Sequence, residues 1–341
     1  MIDIHVDAGA NRARRIVAAQ TTTESAMDVV ISSITDTNGI RVLELAAVDG
    51  AALPSYEAGA HIDVTLGNGL VRQYFLCCRE PSSAGYRIAV KREAGSRGGS
   101  AWLHDMARTG SVLSIGPPRN AFALAPQAGM HLLFAGGIGI TPILSMAYTL
   151  LRRKQPFRLA CYVRDEASLA FSTELRASPL APYVEVFCGL GPQDTAASIG
   201  KLLAAAPAND SHAYVCGPAA FMDAVTAQAE ARFGASALHK ESFGAVPASG
   251  TSEQPFVLRL SRTQCDIAIP AGRSALACLQ DAGINIDSSC EVGVCGTCRT
   301  AVLDGVPDHQ GSLLSAQERK ANNCFLPCVS RPLTPVLVID L

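Results

Sequence analysis

The sequence predicts a multidomain chain: an antiparallel β-barrel, then an α/β domain on a parallel sheet, then a smaller α+β unit. Three observations carry this. The 341 residues exceed one ordinary domain of about 100–200 residues. Short alternating runs fill the first third and give way near residue 128 to apolar runs that each lead into a helical pattern. A Gly-, Ser- and Pro-rich stretch, GAVPASGTSEQP, then sets apart a compact C-terminal unit. The expected divisions are an extension over 1–25, domains over 26–127 and 128–243, a linker over 244–255, and a third domain over 256–341.

Residues 1–25 are polar and Ala-rich without a period and read as loosely ordered, with NRARR a solvated cluster beside Asp3 and Asp7. Next come DVVISSITDTNGIRVLELAAV, HIDVTL, VRQYFLCC, YRIAVKR and SVLSIG, separated by Gly, Pro, Asn and Asp. Their period of two is the rhythm of antiparallel strands in a small barrel. One helical insert, GSAWLHDMA, interrupts them. MHLLFAGG, FRLACYV, VEVFCG and HAYVCG are apolar runs each followed by a helical segment, and that alternation predicts a parallel sheet. Beyond the linker, FVLRL and CDIAI predict paired strands and SALACLQDAG a helix before a cysteine-rich loop.

Composition excludes several classes. A formal net charge of −2 without a basic stripe speaks against nucleic acid as a partner. The N-terminus lacks the apolar core of a signal peptide, so secretion is not expected. Twelve cysteines then point to reduced thiols in a cytoplasmic chain, some of them metal ligands. The uncharged stretch LLFAGGIGITPILSMAYTLL is long enough to span a bilayer. Its Gly-Gly-x-Gly run and central Pro predict strand, loop and buried helix instead, and no membrane partner.

The stretch SSCEVGVCGTCRTAV carries Cys290, Cys295 and Cys298, the opening of the plant-type ferredoxin spacing, whose remaining ligand lies well downstream. A [2Fe–2S] cluster needs four thiolates, and Gly293 and Gly296 allow a close backbone approach to it. Zinc motifs usually pair two Cys-x2-Cys units, and one is present here. Cys324 and Cys328 in NNCFLPCVS are both candidates for the fourth ligand. They stand an even number of residues apart, so strand alternation leaves the choice open.

SCEVGVCGTCRTAVLDGVPDHQ, with LPCVSR downstream, resembles the ferredoxin domain of the phthalate dioxygenase reductase family, which includes vanillate O-demethylase reductases. The resemblance covers nearly all of residues 27–341. It implies a flavin-binding β-barrel, a nicotinamide-binding α/β domain and a β-grasp ferredoxin domain in that order. It also implies that Cys328 of the CVSR segment is the fourth ligand and Cys324 a spare thiol on the same strand.

RQYFL (Arg72 to Leu76) is similar to that family's Arg-x-Tyr-Ser segment, in which the Arg pairs with the flavin phosphate and the Tyr lies beside the ring. A guanidinium fork suits a phosphate. Phe75 stands where Ser is usual, which puts one hydrogen bond near the ring in doubt. Downstream, Arg97, Gly98, Gly99 and Ser100 open the helical insert, and a Gly-rich turn at a helix N-terminus presents free N–H groups to phosphate. In the resembling reductases this loop binds FMN rather than FAD. The resemblance extends the flavin set to Gln73, Tyr74, Val90, Lys91, Thr141 and Phe243, with Phe243 of HKESF covering one flavin face. Without it, RQYFL would read as ordinary strand and Phe243 as core.

FAGGIGITPILSM places Gly136, Gly137 and Gly139 between strand and helix, where a pyrophosphate can approach the backbone. The run is similar to the Gly-Gly-x-Gly-x-Thr-Pro of ferredoxin reductase-like enzymes. VCGPAAFM matches their Cys-Gly-Pro segment and implies that Cys216, Gly217 and Pro218 reach the nicotinamide. A lone Cys216 would otherwise read as a core thiol. Arg164 follows LACYV in the region that meets the ribose, and with no further cations beside it NADH is expected over NADPH.

The expected function is a reductase component that passes electrons from NADH through FMN and a [2Fe–2S] cluster to a partner, which the resemblance implies is a Rieske-type aromatic oxygenase. Hydride carries two electrons and a cluster accepts one at a time, so a flavin must convert between them. No general acid, base or nucleophile is required. The alternatives are an FAD-containing reductase of another monooxygenase and a non-enzymatic iron–sulfur redox sensor.

Overall fold

The computed structural model describes residues 26–79, 85–93, 98–243, 254–288, 291, 293, 296–311 and 313–341. The N-terminal extension, most of the linker, Arg97, Cys290 and Cys295 lie outside them.

The first unit is a six-stranded antiparallel sheet of β1 (Met27–Thr37), β2 (Ile40–Ala47), β3 (His61–Thr65), β4 (Val71–Phe75), β5 (Tyr86–Lys91) and β6 (Val112–Ile115), with helix α1 (Gly99–Asp105) before the last strand. Asn38 and Gly39 take positive φ between β1 and β2, which is the two-residue turn that matches strand twist. The strand order is β4-β3-β6-β1-β2-β5. The chain leaving β4 closes the gap, since Cys77 N donates to Arg87 O of β5 at 2.9 Å. Val29, Ile31, Leu43, Leu45, Ile62, Val64, Tyr86 and Ile88 fill the interior, as period-two alternation requires.

The second unit alternates β7 (Met130–Gly136), α2 (Ile140–Arg153), β8 (Phe157–Val163), α3 (Ser172–Ala177), β9 (Val184–Cys188), α4 (Pro192–Ala204), β10 (Ser211–Cys216), α5 (Ala219–Phe233) and β11 (Leu238–Glu241). All its strand pairs are parallel. The order β11-β10-β7-β8-β9 turns back on itself between β7 and β10. The short β11, LHKE, adds a fifth strand to the four apolar runs; most of it is charged or ionisable, so it has no apolar signature.

The stretch that matched a membrane span in length divides into the end of β7, the glycine turn and most of α2. Every residue from Ile140 to Leu150 is buried. One core joins Ile143, Leu144 and Ala147 of α2 to Ala89 and Phe122 of the first unit and to Leu133 and Leu159 of the parallel sheet. The hydroxyls of Thr141, Ser145 and Thr149 are buried with the apolar side chains, and protein covers the helix on both sides. Among the described residues no helix is long and apolar enough to cross a membrane.

The third unit orders five strands as β13-β12-β18-β14-β16: β13 (Cys265–Ile269), β12 (Phe256–Leu260), β18 (Val336–Ile339), β14 (Thr300–Asp304) and β16 (Cys324–Phe325). β12 and β18 run parallel and the other pairs antiparallel. Helix α6 (Ala275–Asp281) packs on the sheet through Ala275, Cys278 and Leu279, its N-cap Ser274 accepting from Ala277 N at 3.1 Å. A two-stranded piece, β15 (Pro307–Asp308) with β17 (Arg331–Pro332), and α7 (Ala316–Ala321) complete it.

A buried ion cluster ties the first two units together. Arg87 Nη1 of β5 donates to Glu174 Oε1 of α3 at 2.7 Å, and Tyr148 of α2 donates to Glu174 Oε2 at 2.7 Å. The Arg87 guanidinium also lies over the Phe171 ring at 5.0 Å. Burial alone would raise the Glu174 carboxyl, but the Arg87 hydrogen bond and charge with the Tyr148 hydroxyl hold it below its usual 4.5. A carboxyl lowered on folding stabilises above its unfolded value, and that contribution is lost as pH falls through the folded value. Glu174→Ala strands Arg87 and is expected to cost about 3 kcal/mol near neutral pH. Urea unfolding measures it, and the gap to the parent protein should narrow once the pH falls below the carboxylate range.

Candidate functional site

The reversal of strand order between β7 and β10 locates the first part of the site, because ligands of open α/β sheets bind outside the carboxyl ends of the strands at such a switch point. Here the two strand ends touch through backbone. A Cβ on Gly139 would lie 2.2 Å from Cys216 O, one on Gly217 2.8 Å from Gly136 Cα, and one on Gly136 2.8 Å from Pro218 Cδ. Gly136, Gly139 and Gly217 thus make room for neighbouring protein. Gly137 is different: its φ is +55°, and a Cβ there would meet nothing within 4 Å, so it turns an open backbone face to the crevice. The turn runs into α2 without a side-chain cap, leaving backbone N–H groups as the donors there.

Thr141 is buried and spends its hydroxyl on Ile138 O at 3.1 Å. Cys216 is fully buried, and burial, aided by the Glu241 charge, pushes its thiol well up. Arg164 is exposed at the end of β8, and the neighbouring Asp165 accepts from Ser168 N at 2.8 Å and Ser168 Oγ at 2.7 Å. Glu241 ends β11 directly opposite Cys216. Sequence reasoning missed it; a carboxylate one residue before the Ser-Phe of HKESF was the available signal.

In the barrel, β4 presents Arg72 and Tyr74 on one face and Gln73 and Phe75 on the other. Arg72 lies against the start of α1, where a Cβ on Gly99 would come within 2.8 Å of its Cγ. Its Nη1 donates to Val71 O at 2.8 Å. Burial pushes the Tyr74 phenol up to about 12 against the pull of Arg72. Gly98 takes φ +92° at the N-cap of α1, and Ser100 Oγ accepts from Glu93 N at 3.2 Å. Val90 is buried; its carbonyl lies 2.9 Å from His104 Nε2. Lys91 pairs with Glu93 at 2.5 Å.

On the opposite face Gln73 Nε2 donates to Asp63 Oδ1 at 3.1 Å. Phe75 meets His61 edge-on, with ring centroids 5.6 Å apart. It meets Phe243 in the same way at 5.6 Å, so these two aromatics from different units form a pair. Burial, with Arg119 nearby, lowers His61 to about 4, which makes it neutral near pH 7.

In the third unit Cys298 and Cys328 are brought together, Sγ to Sγ at 3.3 Å, both buried. A disulfide would need about 2.05 Å. Two thiolates on one tetrahedral metal, with bonds near 2.3 Å, stand about 3.8 Å apart, so this pair fits as half of a four-thiolate set. Cys290 and Cys295 lie outside the described residues, and among those described no larger group of metal-ligand side chains converges. The expectation that Cys324 and Cys328 share a strand needs correction. β16 ends at Phe325, and Val329 N and Ser330 N both return to Leu326 O, at 3.1 and 2.8 Å. Cys328 therefore sits in a turn that swings it under Cys298, while Cys324 stays on the sheet beside Arg299. The glycines of the loop approach protein: a Cβ on Gly293 would fall 2.7 Å from Val329 Cγ2, and one on Gly296 2.6 Å from Leu313 Cδ2. Gly311, not singled out in the sequence, crosses Gly293, with its Cβ position 2.4 Å from Gly293 O.

Burial raises Glu241 from 4.5 to about 7. The folded chain therefore holds this proton where the unfolded chain has released it, and stability falls as pH rises between those values. Glu241→Gln is expected to raise Tm at pH 8 and leave it unchanged at pH 4. An equal effect at both would count against buried Glu241 as the source.

Residues 258–333 match the 2Fe-2S iron-sulfur cluster binding domain. A vanillate O-demethylase oxidoreductase of Acinetobacter baylyi is 40% identical over 319 residues, covering 92% of this chain and 99% of the relative. A phthalate dioxygenase reductase of Burkholderia cepacia is 39% identical over 300 residues, covering 87% and 92%. The solved phthalate dioxygenase reductase, described as a modular structure for electron transfer from pyridine nucleotides to [2Fe-2S], superposes with a TM-score of 0.72 at 37% identity over 93% of this chain and 98% of that one. The chain is an oxidoreductase belonging to the family of phthalate dioxygenase reductases and vanillate O-demethylase reductases.

Proposed function

We propose that this chain is the reductase component of a Rieske-type aromatic oxygenase, carrying electrons from NADH through FMN to a [2Fe–2S] cluster held by Cys290, Cys295, Cys298 and Cys328. The observation that carries the reading is the convergence of Cys298 and Cys328 at 3.3 Å at the end of a chain that also holds a switch-point crevice. The domains proposed for these tasks are 26–127, 128–243 and 256–341, joined by the linker 244–255 after an N-terminal extension. Reduced thiols at the cluster suit a cytoplasmic setting.

When bound, a flavin accepts a hydride and gives up its electrons singly, which a two-iron cluster requires. The chain's own residues bind and orient. Arg72, with Gly98, Gly99, Ser100 and Arg97, would hold the flavin's phosphate, because a guanidinium fork beside a Gly-rich turn matches a monophosphate. Tyr74 is half-buried beside Arg72, suited to a ring. The open backbone at Gly137 receives the dinucleotide's pyrophosphate, and Pro218 lines the nicotinamide end with the buried Cys216 and Gly217 behind it. Phe243 and Phe75 exclude water between the two. Arg164 is the exposed cation at the end of β8, and the nearby Arg176 is paired with Glu166, which favours NADH over a 2′-phosphate.

Purification without added cofactor is expected to release FMN, with about two irons per chain; FAD, or no flavin, overturns the reading. Cys328→Ser is expected to abolish the visible cluster absorbance, and Cys324→Ser to retain it. The reverse result would move the fourth ligand to Cys324.

A further inference from the structure

Arg72 of β4 has a second anionic neighbour besides any flavin phosphate. Glu291, the residue directly after Cys290, places Oε1 3.8 Å from Arg72 Nη1, with both side chains mostly covered (18% and 23% exposed). The two residues are far apart in the sequence and belong to different units, so this pair joins the cluster loop to the barrel. Glu291 takes φ +56°, a left-handed conformation that costs an ordinary side chain energy. Arg72 in turn is confined along its stem, since a Cβ on Gly99 would reach 3.0 Å from its Nε. Among the described residues the contacts of its guanidinium with Val71 O and with Glu291 both fall on Nη1. A planar fork can serve two anions at once in this way, one on each edge.

We propose that Glu291 is a positioning residue for electron passage from flavin to cluster: its carboxylate clips the cluster loop to the same arginine that anchors the flavin. The inference rests on the cofactor assignment of the preceding subsection. In the step it serves, one electron leaves the reduced flavin and one iron of the cluster is reduced from ferric to ferrous. No bond forms to Glu291 or Arg72, and any proton released with the electron goes to solvent. Arg72 thereby couples two geometries, because a shift of its guanidinium moves flavin and cluster loop together.

The test is rapid mixing of the holoprotein with NADH, following flavin bleaching and cluster bleaching separately, in the parent, Glu291→Gln and Glu291→Asn. Asn tolerates the left-handed backbone and Gln keeps the shape, while both remove the charge. Flavin content, flavin bleaching and the EPR signature of the reduced cluster are expected to stay as in the parent, and cluster bleaching to slow about fivefold, the scale of a partly exposed ion pair. Cluster bleaching at the parental rate overturns the proposal. So does parallel slowing of both phases, which marks a general defect. If both variants lose the cluster, the parent is compared at about 0.05 and 0.5 M salt, which screens the pair; an unchanged ratio of the two phases then overturns it. A parent lacking FMN or cluster would instead refute the cofactor assignment itself.

Discussion

Everything in the first two units depends on where α2 is buried. Eleven consecutive residues buried on every face have to be covered on all sides, and the barrel alone or the sheet alone could cover only one. Its burial therefore forces the two units against each other, at the point where the chain leaves β7. Because α2 begins at that strand's carboxyl end, the open turn at Gly137 faces towards the barrel side of the sheet. The Arg87–Glu174–Tyr148 cluster adds direction to a contact that apolar burial leaves non-directional. A buried ion pair is weak evidence for stability, though a strong penalty attaches to breaking it, so its effect is to penalise other dockings.

Much of this was legible in the sequence. Each of the alternating runs became a barrel strand, and the apolar runs became β7 to β10, because period and length are local properties. The buried nature of α2 followed from Gly and Pro inside an uncharged run. β11 was not legible: LHKE is short and mostly polar, and it forms only because β10 offers an edge. Glu241 went unnoticed for the same reason. Its raised carboxyl is a property of burial beside Cys216, which no local pattern announces.

The cysteines divide similarly. Spacing pointed to a cluster and left Cys324 and Cys328 equivalent, on the assumption that LPC continued a strand. Pro327 and the double return to Leu326 O break that strand, so the question of which face each side chain takes does not arise. The glycines were read as approaching the cluster, whereas Gly293 and Gly311 also approach each other. Contacts between residues so far apart in the chain are invisible to spacing arguments.

The strand order of the third unit has a consequence for how the protein is made. β18 (Val336–Ile339) lies at the centre of its sheet, between β12 and β14, yet it follows every other strand of that sheet in the sequence. All the cysteines of the cluster motif are translated before it. A ribosome-bound chain can therefore complete and dock its barrel and its parallel sheet while its thiols still have no sheet to seat them. Domains fold as units from the N-terminal side during synthesis. The sheet that seats the buried pair Cys298 and Cys328 is therefore incomplete until β18 has been made.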